Sequence, residues 1–207
     1  MIKPKQNSLV YCFFCWYIAR IIKKNFKDLK YDNVVLEPKK SVLLLANHFS
    51  WWDGFVLLHL NKIYLKKRFY VMIMEDTAKK LWFMKYLGAF SVNPNNRSVL
   101  KSLAFAGELL NNPDNLVLIF PQGKLHSSHV NKVEFQKGLA KIIDASKKQF
   151  QFLFAASFTD YLAHKKPTLH IYLKTHLPQQ YNNFLEIEKA YNQHYQVALS
   201  AQTAVII

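Results

Sequence analysis

Apolar positions cluster first near the amino end, where Leu9 to Ile22 is almost wholly apolar, broken by Arg20 and followed by Lys23, Lys24, Lys27 and Lys30. As a helix these fourteen residues reach about 21 Å, short of the roughly 30 Å hydrocarbon core of a bilayer. An interfacial or partly inserted anchor over residues 1–30 is therefore predicted rather than a span, with its lysines toward anionic headgroups on the cytoplasmic side. A signal peptide would also carry such a run, but no small-x-small cleavage pattern follows Ile22. A helix of the protein core is the plainer alternative.

Beyond residue 30, short apolar runs alternate with longer mixed ones. This pattern predicts a single α/β domain over 31–207, a mixed central β-sheet flanked by helices. The predicted strands are Asn33 to Glu37, Ser41 to Ala46, Arg68 to Met74, Asn115 to Phe120, Gln151 to Ser157 and Thr168 to Lys174. The predicted helices are Trp51 to Lys62, Asp76 to Tyr86, Arg97 to Leu110, Gln136 to Lys148, and a last one capped by Asn183 and reaching about Ser200. No repeat or low-complexity tract interrupts them.

Composition narrows the partners. With 51% hydrophobic and 15% aromatic residues the 207-residue chain has ample apolar surface for one core, and disorder is excluded. Twenty-eight Lys and Arg against 13 acids give a net charge of +15, which calls for an anionic partner. The positive charge flanks aromatic and aliphatic runs, as suits a membrane surface with anionic lipids, and no nucleic-acid partner is expected. The two cysteines, Cys12 and Cys15, lie inside the apolar run, with no second pair to complete a metal site.

Chemistry concentrates where the run Val42 to Ala46 delivers Asn47-His48 into a turn followed by Phe49-Ser50-Trp51-Trp52-Asp53-Gly54. On one continuous helix, residues five apart are rotated by about 140° net and point apart. If a strand ends at His48 and a helix starts near Ser50, Asp53 reaches back to the imidazole. A carboxylate on one ring nitrogen fixes the tautomer and leaves the other nitrogen free to take a proton from a hydroxyl. With eight His and seven Asp in the chain, such a spacing arises easily by chance, and Ser50-x-x-Asp53 also reads as a capping box. A second unit adds weight to the pairing: Asn115 to Phe120 leads into the tight polar turn Pro121-Gln122-Gly123-Lys124.

These two units resemble the glycerolipid acyltransferase superfamily, whose lysophosphatidate and related acyltransferases carry a first block N-H-x-x-x-x-D and a third block F-P-E-G. Asn47, His48 and Asp53 match the first block, and Phe120, Pro121 and Gly123 the third, with Gln122 where the family has Glu. Gly88 and Phe90 partly match a second block whose basic residue arrives late, as Arg97, and Phe154 to Ser157 matches a fourth. The resemblance covers about half the chain. It implies transfer of a fatty acyl group from acyl-CoA or acyl carrier protein to a hydroxyl of a lysophospholipid or other lipid, as in 1-acylglycerol-3-phosphate acyltransferases. His48 is then the general base and Asp53 its partner, with no cofactor, metal or protein nucleophile. Asn47, Gly88, Phe90, Arg97, Phe120, Pro121, Gln122, Gly123 and Lys124 are the implied substrate-binding residues.

The family's third-block arginine is Leu125 here, leaving Lys124, His126 or Arg97 to supply a positive charge. Lysine lacks the planar fork that grips phosphate bidentately, so an amino-acid lipid or another hydroxylated lipid also fits as acceptor. A non-catalytic lipid-binding protein, a basic nucleic-acid-binding module and a hydrolase are the competing readings. The first is motivated by the imperfect second and third blocks. The second lacks any RNP-type, zinc-knuckle or helix-turn-helix signal.

Overall fold

A computed structural model describes all residues except Gln179, Asn182 and Ile207. The chain begins with residues 1–7 extended along a sheet edge, where Ile2 and Ser91 exchange backbone and side-chain hydrogen bonds and the Lys5 N–H donates to the Lys85 carbonyl. Helix α1 (Ser8–Asn25) starts at Asn7, whose side chain accepts from the Val10 N–H, and carries Lys23 and Lys24 in its last turn. Both ends follow the preference of a helix dipole for polar caps at the start and cations at the end.

Strands β1 (Asp28–Tyr31), β2 (Ser41–Ala46), β3 (Arg68–Met74), β4 (Ala89–Val92), β5 (Asn115–Ile119), β6 (Phe150–Asp160) and β7 (Thr168–His176) form one sheet in the order β1-β7-β6-β2-β5-β3-β4. All neighbours are parallel except β6 and β7, which form an antiparallel hairpin. The central strands are buried on both faces, as their unbroken apolar runs require. Their alternate residues divide between two cores. Val42, Leu44, Leu116 and Leu118 pack under α1 and α2 (Asp53–Leu60). Leu43, Leu45, Val117 and Ile119 pack under α4 (Val99–Leu109), α5 (Gly138–Asp144) and α6 (Phe184–Thr203). The domain is thus a mixed α/β sandwich of three layers.

Several elements depart from expectation. The first strand is Asp28–Tyr31, not Asn33 to Glu37; the latter stretch is pinned by side chains instead, with the Tyr64 hydroxyl bonding both backbone groups of Val34 and the Gln151 amide those of Glu37. Strand β1 begins inside the segment predicted as an anchor, and α1 buries Ile18 and Ile22, so residues 1–30 pack into the domain. The helix predicted over Asp76 to Tyr86 divides at Leu81 into α3 (Glu75–Lys80), which buries nothing, and a 3₁₀ turn (Trp82–Leu87) that carries Met84 and Leu87 into the core. Strand β4 was not predicted, being four residues long with a serine inside it. Strand β6 runs on through the polar Thr159 and Asp160 because those residues pair with Leu169 and Thr168 in the hairpin.

Candidate functional site

The site forms where the parallel strands β2 and β5 end side by side, at the carboxyl edge of the sheet, the place where open α/β sheets leave a crevice. Past Ala46 the chain is clasped to β6: the Asn47 side chain accepts from the Ser157 N–H at 2.7 Å and donates to the Ser157 carbonyl at 3.0 Å. Two bonds to one backbone unit fix where β2 stops, and His48 is the next residue.

Asp53 is the first residue of α2 and nearly buried, and its Oδ2 is the focus of the turn. It accepts from the N–H groups of Phe49 at 2.8 Å and Ser50 at 2.9 Å and from the His48 ring, whose Nδ1 lies at 3.0 Å. The capping role and the pairing role read from the sequence are thus filled by one oxygen. Because Nδ1–H points at a carboxylate, Nε2 carries the lone pair. Among the described residues Nε2 has no hydrogen-bond partner, and the ring lines a cavity.

The β5 turn supports the histidine from its other side. Phe120 stacks on the imidazole at 4.1 Å between ring centroids and 17° between planes. Gln122, 2% exposed, accepts the His48 backbone N–H on Oε1 at 2.7 Å, and the His48 carbonyl accepts from the His126 N–H at 3.0 Å. Gly123 closes this turn at a φ of 72°, a left-handed conformation that side chains resist.

Two cavities meet at Phe120 and Gly123. One, of about 230 Å³, runs from His48 between α2 and β3 and is walled by Phe55, Val71, Met72, Leu81 and Met84, with Trp51, Met74 and Leu125 exposed at its margin. The other, of about 720 Å³, lies toward α4 and α5 and adds Gln122, Lys124, Gln136 and Lys137 to an apolar lining. The first suits a hydrocarbon chain, and the second a bulkier group with a polar part.

A family model described as Acyltransferase matches residues 25–153, which contain all of the residues assembled around His48 except Ser157. The chain belongs to the Acyltransferase family. Its activity is therefore acyl transfer. No individual curated protein matches the sequence.

Within this acyltransferase the sequence-derived residues separate into two groups. His48, Asp53, Phe120, Pro121, Gln122, Gly123 and Lys124 come together around the two cavities. Asn47 does not face them; its side chain is consumed by Ser157. Gly88 lies at the far end of β4 with a φ of 89°, where a Cβ would sit 2.0 Å from the Phe69 carbonyl oxygen, so its role is to let the backbones approach. Phe90 is wholly buried against Phe105. Arg97 is exposed in the loop before α4 and lines neither cavity. Sequence reasoning missed the lining residues Met72, Leu81 and Met84 and the Ser157 clasp, because each depends on which strands become neighbours.

Proposed function

We propose that the chain moves a fatty acyl group from the thioester of acyl-CoA or acyl carrier protein onto a lipid hydroxyl at a membrane surface. The observation that carries this is the His48 imidazole, held by Asp53 through Nδ1, stacked on Phe120, and presenting an unpartnered Nε2 to an apolar cavity. The acceptor's O–H gives its proton to Nε2 as its oxygen attacks the thioester carbon; the C–S bond breaks, and the departing thiolate takes the proton. Asp53 steadies the charge that develops on the ring. General-base assistance of this kind contributes roughly a hundred- to ten-thousand-fold in rate.

The outer face of α1 supports the membrane part of the proposal. Leu9, Phe13, Trp16 and Tyr17 are exposed there, Trp82 stands beside Phe14, and Arg20, Lys23 and Lys24 flank them. Among the described residues no helix is long and apolar enough to cross a membrane, so contact through one face of α1 is the arrangement proposed. The absence of arginine at Leu125, which lies at the margin of the smaller cavity, favours an acceptor that needs no bidentate phosphate clamp.

The test is a turnover assay with acyl-CoA and a panel of lysolipids, comparing the native chain with His48→Ala. The variant is expected to keep its fold, since the ring is partly exposed and makes one side-chain hydrogen bond, and to lose transfer. Undiminished turnover in purified His48→Ala would remove the proposed base. Thiol release without any acylated lipid would identify a hydrolase instead.

A further inference from the structure

At the opposite end of α1 from His48, where β3 and β4 begin, lies a separate cavity of about 680 Å³. Lys3, Lys5 and Arg68 stand around it, Tyr11, Tyr86 and Phe105 form part of its wall, and no acidic residue lines it. Among the described residues none of the three cations is in an ion pair. Lys3 instead sits over the Phe105 ring, 5.5 Å from its centroid. The two lysines are not on a loose tail, because the segment carrying them is hydrogen-bonded to Ser91 and Lys85. The first turn of α1 opens onto the same cavity through Ser8 and contains no acid, so the positive end of the helix dipole adds to the three side chains.

From this cavity α1 runs 18 residues, about 27 Å, to the catalytic end, where Phe26 meets Trp52. Between the two ends its outer face is the exposed row of Leu9, Phe13, Trp16 and Tyr17. An anion bound at the near end is therefore continuous with an apolar surface. A soluble phosphate would use the cations and leave the aromatic wall idle, whereas a phospholipid uses both. We infer that the cavity is a socket for the phosphate headgroup of an anionic bilayer phospholipid, distinct from the catalytic cavity. Its occupation lays α1 along the surface and brings the margin of the His48 cavity, with Trp51, Met74 and Leu125, against the bilayer. The socket rests on the proposed contact of α1 with a membrane and involves no chemical step, so vesicle binding tests it apart from turnover.

The experiment is sedimentation of the full chain with vesicles of phosphatidylcholine alone or with about 30% phosphatidylglycerol, at several salt concentrations. A Lys3→Gln, Lys5→Gln, Arg68→Gln variant is compared with Lys141→Gln, Lys147→Gln, Lys189→Gln, which removes equal charge from exposed positions outside the cavity. Cations near an anionic surface contribute enough that the first variant is expected to lose about thirtyfold or more in partitioning onto the anionic vesicles, and the second less than about threefold. Arg68→Gln alone, whose native side chain makes no hydrogen bond among the described residues, guards against damage to the amino-terminal segment and is expected to lose roughly fivefold. Equal losses in the two triple variants would overturn the socket in favour of diffuse charge. Release from vesicles by millimolar inorganic phosphate would overturn it in favour of a soluble-anion site, and equally tight binding of a single-stranded oligonucleotide would do so in favour of nucleic acid.

Discussion

Replacing Asp53 by Asn separates the charge of this side chain from its geometry. Three donors converge on Oδ2, the His48 ring and the N–H groups of Phe49 and Ser50, so an asparagine must turn its oxygen toward them, since its NH₂ would face three hydrogens. The turn and the tautomer of His48 are then retained while the negative charge is lost. Unit charges about 4 Å apart are worth about 4 kcal/mol at an effective dielectric of about 20, an upper limit of roughly a thousandfold in rate. The His48 side chain is 24% exposed, and solvent screening lowers this figure. The expected loss in kcat is therefore roughly 30- to 1000-fold, with KM little changed. Hydrogen bonds to a charged acceptor exceed neutral ones by about 1 kcal/mol each, so the two backbone bonds predict a fall in Tm of several degrees without unfolding. The assay is thiol release from acyl-CoA with a lysolipid acceptor, run beside thermal unfolding. A kcat within threefold of native would refute the assignment of Asp53 as the group that stabilises the protonated ring.

Gln122→Ala should lower turnover at least tenfold and stability by about 1–3 kcal/mol, because the half-buried His48 N–H loses its acceptor. Gln122→Glu should restore stability, since a carboxylate accepts the same bond; a Glu variant no more stable than Gln122→Ala would argue against the bond to His48 as the stabilising contact. Gly88→Ala should cost on the order of 3 kcal/mol or more, from a Cβ driven against the Phe69 carbonyl and a strained φ, while turnover per folded molecule stays native. A drop in specific activity at unchanged stability would place Gly88 in the site after all. Burial holds the His59, His176 and His194 imidazoles below their ordinary value of 6.5, so the unfolded chain binds more protons than the native one below that pH. Their contribution to stability is complete above 6.5 and lost as the pH falls. Tm should drop on acidification, and less steeply in a His194→Gln variant; parallel slopes would refute the attribution to His194.

The parts of the molecule legible in the sequence are those fixed by local pattern. The doubly buried strands β2 and β5 announce themselves as unbroken apolar runs, and Asn183 caps α6 by accepting the Glu186 N–H on its side-chain oxygen, as its position suggests. The H-x-x-x-x-D spacing made sense only across a strand-to-helix bend, and that bend brings Nδ1 and Oδ2 together. What the pattern could not supply is which distant segments meet. The tyrosine that pins Val34, the serine that clasps Asn47 and the methionines that wall the cavity are 30 to 110 residues from their partners or belong to strands whose order is a tertiary fact. Gly88 and Phe90 show the same limit: their spacing resembles a binding block, while the sheet places Gly88 before the start of β4 and buries Phe90.

Substituting Gln for the family's Glu in the third block gains physical sense from this arrangement. With Oε1 committed to the His48 N–H, the orientation of the Gln122 amide is fixed, and its NH₂ group, without a protein partner among the described residues, belongs to a side chain lining the larger cavity. A glutamate making the same bond would offer that cavity an acceptor and a charge, where this chain offers a donor and none. Together with Leu125 in place of arginine, the exchange removes one negative and one positive charge from the same turn. The two departures therefore compensate in net charge, and Lys124 remains exposed beside the turn. For the reaction proposed above, such a turn favours an acceptor read through hydrogen bonds and apolar fit more than through a phosphate clamp.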